Sequence, residues 1–337
     1  MFKVGFRTGL LQDETRRDWS GNGPRPLRWA AWYPAPADAQ VGMMELPPQR
    51  PLFLMGVVAP DAALAEAAAP FPVVLLSHGT GGSAASLGWL AGALASAGHV
   101  VIGVDHHGNT SSERHRAEGF LCWWERPRDL SCALDLLVAR EPFAGRLDLG
   151  RVTAAGFSLG GYSVVALLGA ITRMDLFRDF ATARGFGDGP REFPDLARRV
   201  APLLEGSAVF RTSWERQSTS CRDARVKAVL ALAPAPTVRA FTLESLRAIE
   251  RPVALAVGDA DREAPAHDCA HWLHQHLPNA TLERLGTDIG HYVLLAEGTA
   301  LGKEREPDIW CDPHGVDRRA VQARVSALAL HALAPGA

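Results

Sequence analysis

The sequence predicts an α/β fold with a doubly wound, mostly parallel sheet. Short, continuous apolar runs recur along the chain, bounded by Gly, Pro or Asp, and segments with helical spacing lie between them. Apolar runs of this length are typical of strands buried on both faces, and their alternation with helices indicates a parallel sheet covered on two sides. The strand-like runs are residues 27–33, 72–77, 99–104, 151–157, 226–233, 252–257 and 281–285. The helical segments are residues 84–97, 127–140, 159–171, 242–249, 264–276 and 316–333.

Composition excludes several classes of protein. The chain has 337 residues, 47% hydrophobic and 21% charged, which is typical of a globular protein. A net charge of -2 without a long basic run argues against a nucleic-acid partner. No apolar run reaches the about 18 residues that a membrane span needs. The sequence contains no indication of the oligomeric state.

Location is predicted from the N-terminus and the cysteines. The N-terminus has no continuous apolar segment of the kind found in secretory signals, although a signal already removed would leave no trace. The five cysteines are scattered and form no C-x-x-C pair, which favours reduced thiols. We therefore expect a cytoplasmic protein.

A glycine-flanked serine stands where a strand is predicted to become a helix. Gly156-Phe157-Ser158-Leu159-Gly160 is a G-x-S-x-G sequence, and its strand–turn–helix context is that of a nucleophile elbow. So tight a turn strains the serine backbone and leaves room only for glycine two positions to either side. Ser158 is therefore a candidate nucleophile. The alternative is a structural turn in which the serine only caps the helix.

A serine nucleophile needs a base and an orienting acid. In elbow enzymes these follow in the chain order serine, acid, histidine. His291, in a glycine-containing loop after the strand at 281–285, is the candidate base. Asp259 and Asp261 both follow the strand at 252–257, and we prefer Asp261, three residues beyond the glycine that ends this strand. Asp259 would then be a loop cap.

Two backbone N–H groups are predicted to form an oxyanion hole. One belongs to Leu159, the residue after the candidate nucleophile, and the other comes from the loop after an earlier strand. The sequence "SHGTGG" follows the strand at 72–77, and Thr80 is its candidate donor.

These motifs together resemble the α/β-hydrolase superfamily, and more narrowly dienelactone-hydrolase-like proteins and the platelet-activating-factor acetylhydrolase group. The resemblance covers roughly residues 1–335 and is carried by "LLSHGTGG", "VIGVDHHGNT", "GFSLGGY", "ALAPAP", "VGDADREAP" and "GHYVLL". Dienelactone hydrolases use a cysteine nucleophile, whereas this chain has Ser158. The acetylhydrolases place their acid after the strand that follows the elbow, where this chain reads "ALAPAP". The resemblance therefore implies an ester hydrolase without an assigned substrate.

The predicted activity is that of a serine carboxylesterase. It would hydrolyse small or medium carboxylic esters through an acyl-enzyme, with a small-molecule ester as its partner and no cofactor. A peptidase or amidase with the same residues is the first alternative. A non-catalytic binding protein with a hydrolase fold is the second.

The connection at residues 172–225 breaks the alternation of strands and helices. It is much longer than the usual connection, so we expect one domain over residues 1–337 with this segment as an inserted helical lid. Its apolar residues recur at spacings compatible with short helices. Four aromatic residues are predicted to contact the substrate: Phe177, Phe180, Phe210 and Trp214.

Two groups of histidines are not given a catalytic role. His267, His271 and His274 have i, i+4, i+7 spacing, but no H-E-x-x-H motif accompanies them, so we expect a solvated helix face and no metal site. His106 and His107 follow the strand at 99–104 and are interpreted as structural.

Overall fold

The computed structural model describes residues 1–334 and contains one mixed sheet of eleven strands. The strands are β1 (Lys3–Arg17), β2 (Pro24–Ala35), β3 (Gly42–Leu46), β4 (Phe53–Pro60), β5 (Phe71–Ser77), β6 (Val100–Asp105), β7 (Leu147–Phe157), β8 (Val226–Leu232), β9 (Val253–Val257), β10 (Ala280–Arg284) and β11 (Glu297–Gly298). Their order is β10-β9-β8-β7-β5-β6-β2-β1-β4-β11, with β3 paired to β4. Strands β5 to β10 pair in parallel. The predicted α/β fold with a mostly parallel sheet is confirmed.

Helices cover both faces of this sheet. They are α1 (Gly88–Ser96), α2 (Ala117–Leu121), α3 (Glu125–Leu137), α4 (Leu159–Leu167), α5 (Met174–Arg184), α6 (Val200–Gly206), α7 (Ala208–Glu215), α8 (Leu243–Arg247), α9 (Ala270–His276), α10 (Ala300–Arg305), α11 (Pro307–Trp310) and α12 (Arg318–Ala332). All six predicted helices are shorter in the structure, α4 and α9 among them. Helix α4 stops at Leu167, shortly before Gly169, whose φ of 113° is not helical. Helix α9 begins at Ala270, and residues 266–269 before it form a turn.

The alternation of side chains along β5 explains its continuous apolar sequence. Val73 and Leu75 belong to one buried cluster, together with residues of α3 and α4. Val74 and Leu76 belong to a second cluster, with residues of α1 and α12. Both faces of the strand are therefore covered, as its sequence indicates.

Strands β1, β3, β4 and β11 were not among the predicted strands. Strand β1 pairs with β2 in antiparallel register and carries β4 on its other side. The burial pattern of β1 alternates along much of its length, so polar residues interrupt the apolar run that identified the central strands. These strands widen the sheet at the edge away from β10.

The segment 172–225 contains α5, α6 and α7. Helix α5 lies against the short 3-10 helix Pro236–Ala240 that follows β8, where the N–H of Arg173 donates to the carbonyl of Ala240 at 2.8 Å. Helix α7 lies against the start of α3, where the indole N–H of Trp124 donates to the carbonyl of Ser213 at 2.8 Å. The insertion is thus anchored at two separate places on the domain. Within residues 1–334, no helix combines the length and the apolar character that crossing a membrane requires.

Candidate active site

Ser158 lies in the turn between β7 and α4 with a left-handed backbone, φ 55° and ψ −117°. Its N–H donates to Leu232 O at 2.9 Å, and its carbonyl accepts from Gly161 N–H at 2.8 Å. A Cβ atom at Gly156 would overlap the carbonyl oxygen of Gly160. A Cβ atom at Gly160 would overlap the carbonyl oxygen of Ser77. The close packing of strand, turn and helix therefore requires both glycines.

His291 and Asp261 form a buried pair. The Nδ1 atom of His291 lies 2.6 Å from Oδ2 of Asp261, and the two residues are 6% and 5% exposed. Oδ1 of Asp261 accepts the N–H of Ala264 at 2.7 Å, which fixes the carboxylate. The His291 ring lies 4.6 Å, centroid to centroid, from that of Phe157, the residue before Ser158. The imidazole is therefore next to the elbow.

Backbone contacts align the loops that carry these two residues. The N–H of Asp259 donates to Gly286 O at 3.0 Å, and that of Ala260 donates to Ile289 O at 3.1 Å. A Cβ atom at Gly258 would overlap the Ile289 carbonyl oxygen, so a larger residue would force the loops apart. The pairing of acid and histidine follows from this contact.

Asp259 has a different partner. Its carboxylate is bound by the Arg284 guanidinium, with an Nη2–Oδ2 distance of 2.7 Å. Hydrogen bonding to Arg284 lowers the pKa of this carboxyl. The two candidate acids are thus separated in space: one contacts the histidine and the other forms an ion pair with β10.

The loop after β5 lies against Ser158. A Cβ atom at Gly79 would be 3.2 Å from Cβ of Ser158. Among residues 1–334, neither the N–H of Thr80 nor that of Leu159 donates to a protein group. Leu159 is the first residue of α4, where backbone N–H groups have no intrahelical acceptor. Both predicted oxyanion donors are therefore available to a ligand.

The four aromatic residues of the insertion lie in two places. On α5, Phe177 packs edge-on against Trp123 with a centroid distance of 4.8 Å, and Phe180 lies 4.4 Å from the Arg239 guanidinium. On α7, the wholly buried Phe210 packs on Trp214.

Trp214 in turn lies 5.6 Å from Trp124, at the start of α3. The aromatic residues of α7 therefore pack the insertion onto the domain.

Sequence reasoning missed a strap of the insertion at residues 188–193. A Cβ atom at Gly81 would lie 2.9 Å from Cγ of Glu192, so this side chain packs on the candidate oxyanion loop. Glu192 is solvent-exposed as a residue, yet the protein atoms around its carboxyl raise the pKa of that group through burial. The neighbouring Arg191 pairs with Glu306 at 3.0 Å. No local pattern indicates these contacts, because they join residues far apart in sequence.

The histidines near α9 do not share one helix. His267 lies in the turn before α9, whereas His271 and His274 lie within it. In the part of the chain that the structure describes, no group of three potential ligand side chains is placed to hold a metal ion.

Similarity to known proteins identifies the fold of this chain. No family model matches it. A ferulic acid esterase from Streptomyces cinnamoneus has a similar structure, with a TM-score of 0.63 over 98% of this chain and 89% of its own, at 20% sequence identity. The chain has the α/β-hydrolase fold. A bis(hydroxyethyl) terephthalate hydrolase of Streptomyces coelicolor is 35% identical over 91 residues, which are 27% of this chain and 26% of that relative. The match therefore spans about a quarter of the relative's length.

In an α/β-hydrolase fold, ligands bind beyond the carboxyl ends of the parallel strands. Ser158 follows β7, Asp261 follows β9 and His291 follows β10. The three side chains are thus at one edge of the sheet. The narrower resemblance to dienelactone hydrolases and acetylhydrolases stays a prediction.

Proposed function

We propose that this chain is a serine carboxylesterase that hydrolyses small or medium carboxylic esters through an acyl-enzyme. The observation that carries the proposal is the position of Ser158, in a left-handed elbow beside the His291–Asp261 pair. Both named similar proteins act on esters of aromatic acids, so aromatic acyl groups belong among the first substrates to test. The chemistry needs no cofactor.

Acylation begins when Oγ of Ser158 attacks the ester carbonyl carbon and its proton passes to Nε2 of His291. Asp261 accepts the Nδ1–H of the imidazole, which keeps Nε2 free to act as the base and stabilises the imidazolium. The N–H groups of Thr80 and Leu159 bind the negative oxygen of the tetrahedral intermediate. His291 then protonates the leaving alcohol.

Deacylation repeats these roles with water. Water loses a proton to Nε2 of His291 and attacks the acyl carbon, and the collapse of the second intermediate releases the carboxylic acid and restores Ser158. The buried positions of Ser158 and His291, 8% and 6% exposed, limit competing contact with bulk water.

The insertion supports a role in substrate selection. Helix α5 lies over the segment that follows β8, on the edge that carries Ser158. We assign its Phe177 and Phe180 to the acyl-binding side. The Glu192 side chain of the strap lies against Gly81 of the candidate oxyanion loop.

The test is a panel of p-nitrophenyl esters of rising acyl length, with p-nitrophenyl benzoate and aminoacyl anilides alongside. Esters should be hydrolysed and anilides should not. Ser158→Ala should lose activity by about 10⁴-fold or more, because triad members act as a unit. Ser96→Ala, at the end of α1, is the matched control and should keep wild-type rates. Anilide turnover would indicate an amidase, and a Ser158→Ala variant with about a tenth of wild-type activity would exclude this nucleophile.

A further inference from the structure

The peptide units on either side of Thr80 are each held by a buried side chain. Nδ1 of His78 lies 2.6 Å from the carbonyl oxygen of Gly79. Oδ1 of Asn109 accepts the N–H of Gly81 at 2.7 Å. The Gly79–Thr80 peptide is trans, so a fixed Gly79 carbonyl directs the Thr80 N–H the opposite way. The orientation of this N–H therefore depends on the two side chains.

The contacts of His78 define its tautomer. The backbone N–H of His106 points at Nε2 of His78 at 3.2 Å, and a backbone N–H can only donate. Nε2 is therefore the acceptor, and Nδ1 carries the hydrogen that is donated to Gly79 O. Burial, with the positive charge of Arg126 as a further cause, holds the pKa of His78 well below its ordinary value, so the ring is neutral.

Four further buried side chains form hydrogen bonds next to His78. Nδ1 of His106 lies 3.0 Å from Oδ2 of Asp129, and its Nε2 lies 2.9 Å from Oγ of Ser77. The Arg126 guanidinium donates to the His78 carbonyl. These four supporting side chains are at most 1% exposed, so they act on the loop and cannot touch substrate.

Asn109 is also buried, and both ends of its amide are hydrogen-bonded. It is 1% exposed, and its Nδ2 donates to Gly119 O at 3.3 Å, which leaves Oδ1 directed at Gly81. Because Gly81 N–H is occupied in this way, it is not free to bind an oxyanion. Thr80 N–H, in contrast, donates to no protein group among the residues that the structure describes.

We propose that His78 and Asn109 are positioning residues, which together hold the peptide units around Thr80 so that its N–H faces the oxyanion formed at Ser158. This inference rests on the proposed esterase function. Neither residue reacts. Their effect is to prevent the loop from turning the Thr80 N–H away in the free enzyme, so that no reorganisation is needed when negative charge develops.

The test compares His78→Asn with His78→Leu in the full-length protein. The Asn amide can place an N–H where Nδ1–H stands, whereas Leu has no donor. His78→Leu should lower kcat about 10²-fold with KM unchanged, because the oxyanion is absent from the bound ester and develops only in the transition state that leads to the tetrahedral intermediate. It should weaken inhibition by a trifluoromethyl ketone, which forms a tetrahedral adduct with serine, by a similar factor. His78→Asn should recover most of kcat and of inhibitor affinity.

Asn109→Leu gives an independent measurement if His78→Leu does not fold. It removes the acceptor for Gly81 N–H and should show the same split, with kcat lowered and KM retained. His107→Asn is the matched control. The ring of His107 contacts Glu113 and Trp19, not the loop at 78–82, so kcat should stay at the wild-type value. Thermal unfolding of each variant reports on its stability.

Each failure has its own signature. Equal kcat for His78→Leu, Asn109→Leu and wild type at matched thermal stability would overturn the positioning role and leave the esterase proposal intact. A loss expressed in KM alone, or shared equally by His78→Asn and His78→Leu, would also overturn it. Retained activity in Ser158→Ala would instead remove the proposed function, and the positioning role with it.

Discussion

Asp261 and His291 are joined by a hydrogen bond of 2.6 Å, and the second oxygen of Asp261 accepts a backbone N–H at 2.7 Å. Both carboxylate oxygens are thus occupied, and the side chain cannot rotate away without losing two bonds. Asp259, two residues earlier in the chain, is instead paired with Arg284. The two carboxylates should therefore differ sharply in their importance for turnover.

Asp261→Asn should lower kcat by about 10⁴-fold, because an amide in place of the orienting carboxylate favours the wrong imidazole tautomer. Asp259→Asn removes only a surface ion pair and should change kcat little. Steady-state rates with one p-nitrophenyl ester give both values. The reverse ranking would assign the acid to Asp259.

Gly160→Ala should destabilise the protein severely, because the new methyl group would overlap the Ser77 carbonyl oxygen. Gly92→Ala is the matched control: Gly92 lies inside α1 with no atom within 4 Å of its would-be Cβ. Since Ala is the better helix former, this variant should gain about 0.5–1 kcal/mol. Urea unfolding measures both free energies. A Gly160→Ala protein as stable as wild type would contradict the packing described for the elbow.

Stability should fall as the pH is lowered from about 6.5, the ordinary histidine pKa. Burial, with the Arg126 charge as a further cause, lowers the pKa of His106 to about 3, although Asp129 opposes the shift. Between these two values the unfolded chain binds a proton at this residue and the folded chain does not. The stability that the neutral His106 gives the folded protein is therefore fully present above about pH 6.5. As the pH falls from there to about pH 3, the free energy of unfolding decreases by about 1.4 kcal/mol per pH unit.

Urea unfolding of wild type and His106→Asn from pH 7 to pH 4 checks this expectation. The variant should show a shallower dependence on pH, whatever its absolute stability. Some slope should remain, because burial also lowers the pKa values of His78 and His99. Identical slopes would show that His106 is protonated in the folded protein.

Phe177→Ala and Phe180→Ala should change the ranking of esters by acyl length. Each methylene held by an apolar pocket contributes about 0.8 kcal/mol, so the preference should shift several-fold. Phe210→Ala should instead cost about 3–5 kcal/mol of stability, because Phe210 is wholly buried against Trp214, and should leave the ranking unchanged. The ester panel and thermal unfolding separate these outcomes. A changed ranking in Phe210→Ala or Trp214→Ala would place α7 at the acyl group as well.

The sequence was sufficient for features that depend on neighbouring residues. The central strands were visible because each is apolar on both faces, and the turn at Ser158 was visible because its glycines are close in sequence. Strand β1 was not predicted, because its polar and apolar residues alternate and form no continuous apolar run. The contact between His106 and Asp129 could not be predicted, since it depends on how α3 packs against the sheet. The contact of Glu192 with Gly81 could not be predicted either, because the two residues are far apart in sequence.

Ser158 has a backbone conformation that glycine would adopt more easily, since side chains at positive φ typically cost about 1–3 kcal/mol. A library of variants selected only for thermal stability should therefore enrich glycine at this position and yield more stable proteins that lack the nucleophile. Selection for turnover acts in the opposite direction at the same residue. The backbone conformation that Ser158 needs for reactivity thus lowers thermal stability. Stabilising substitutions should therefore be sought at other positions.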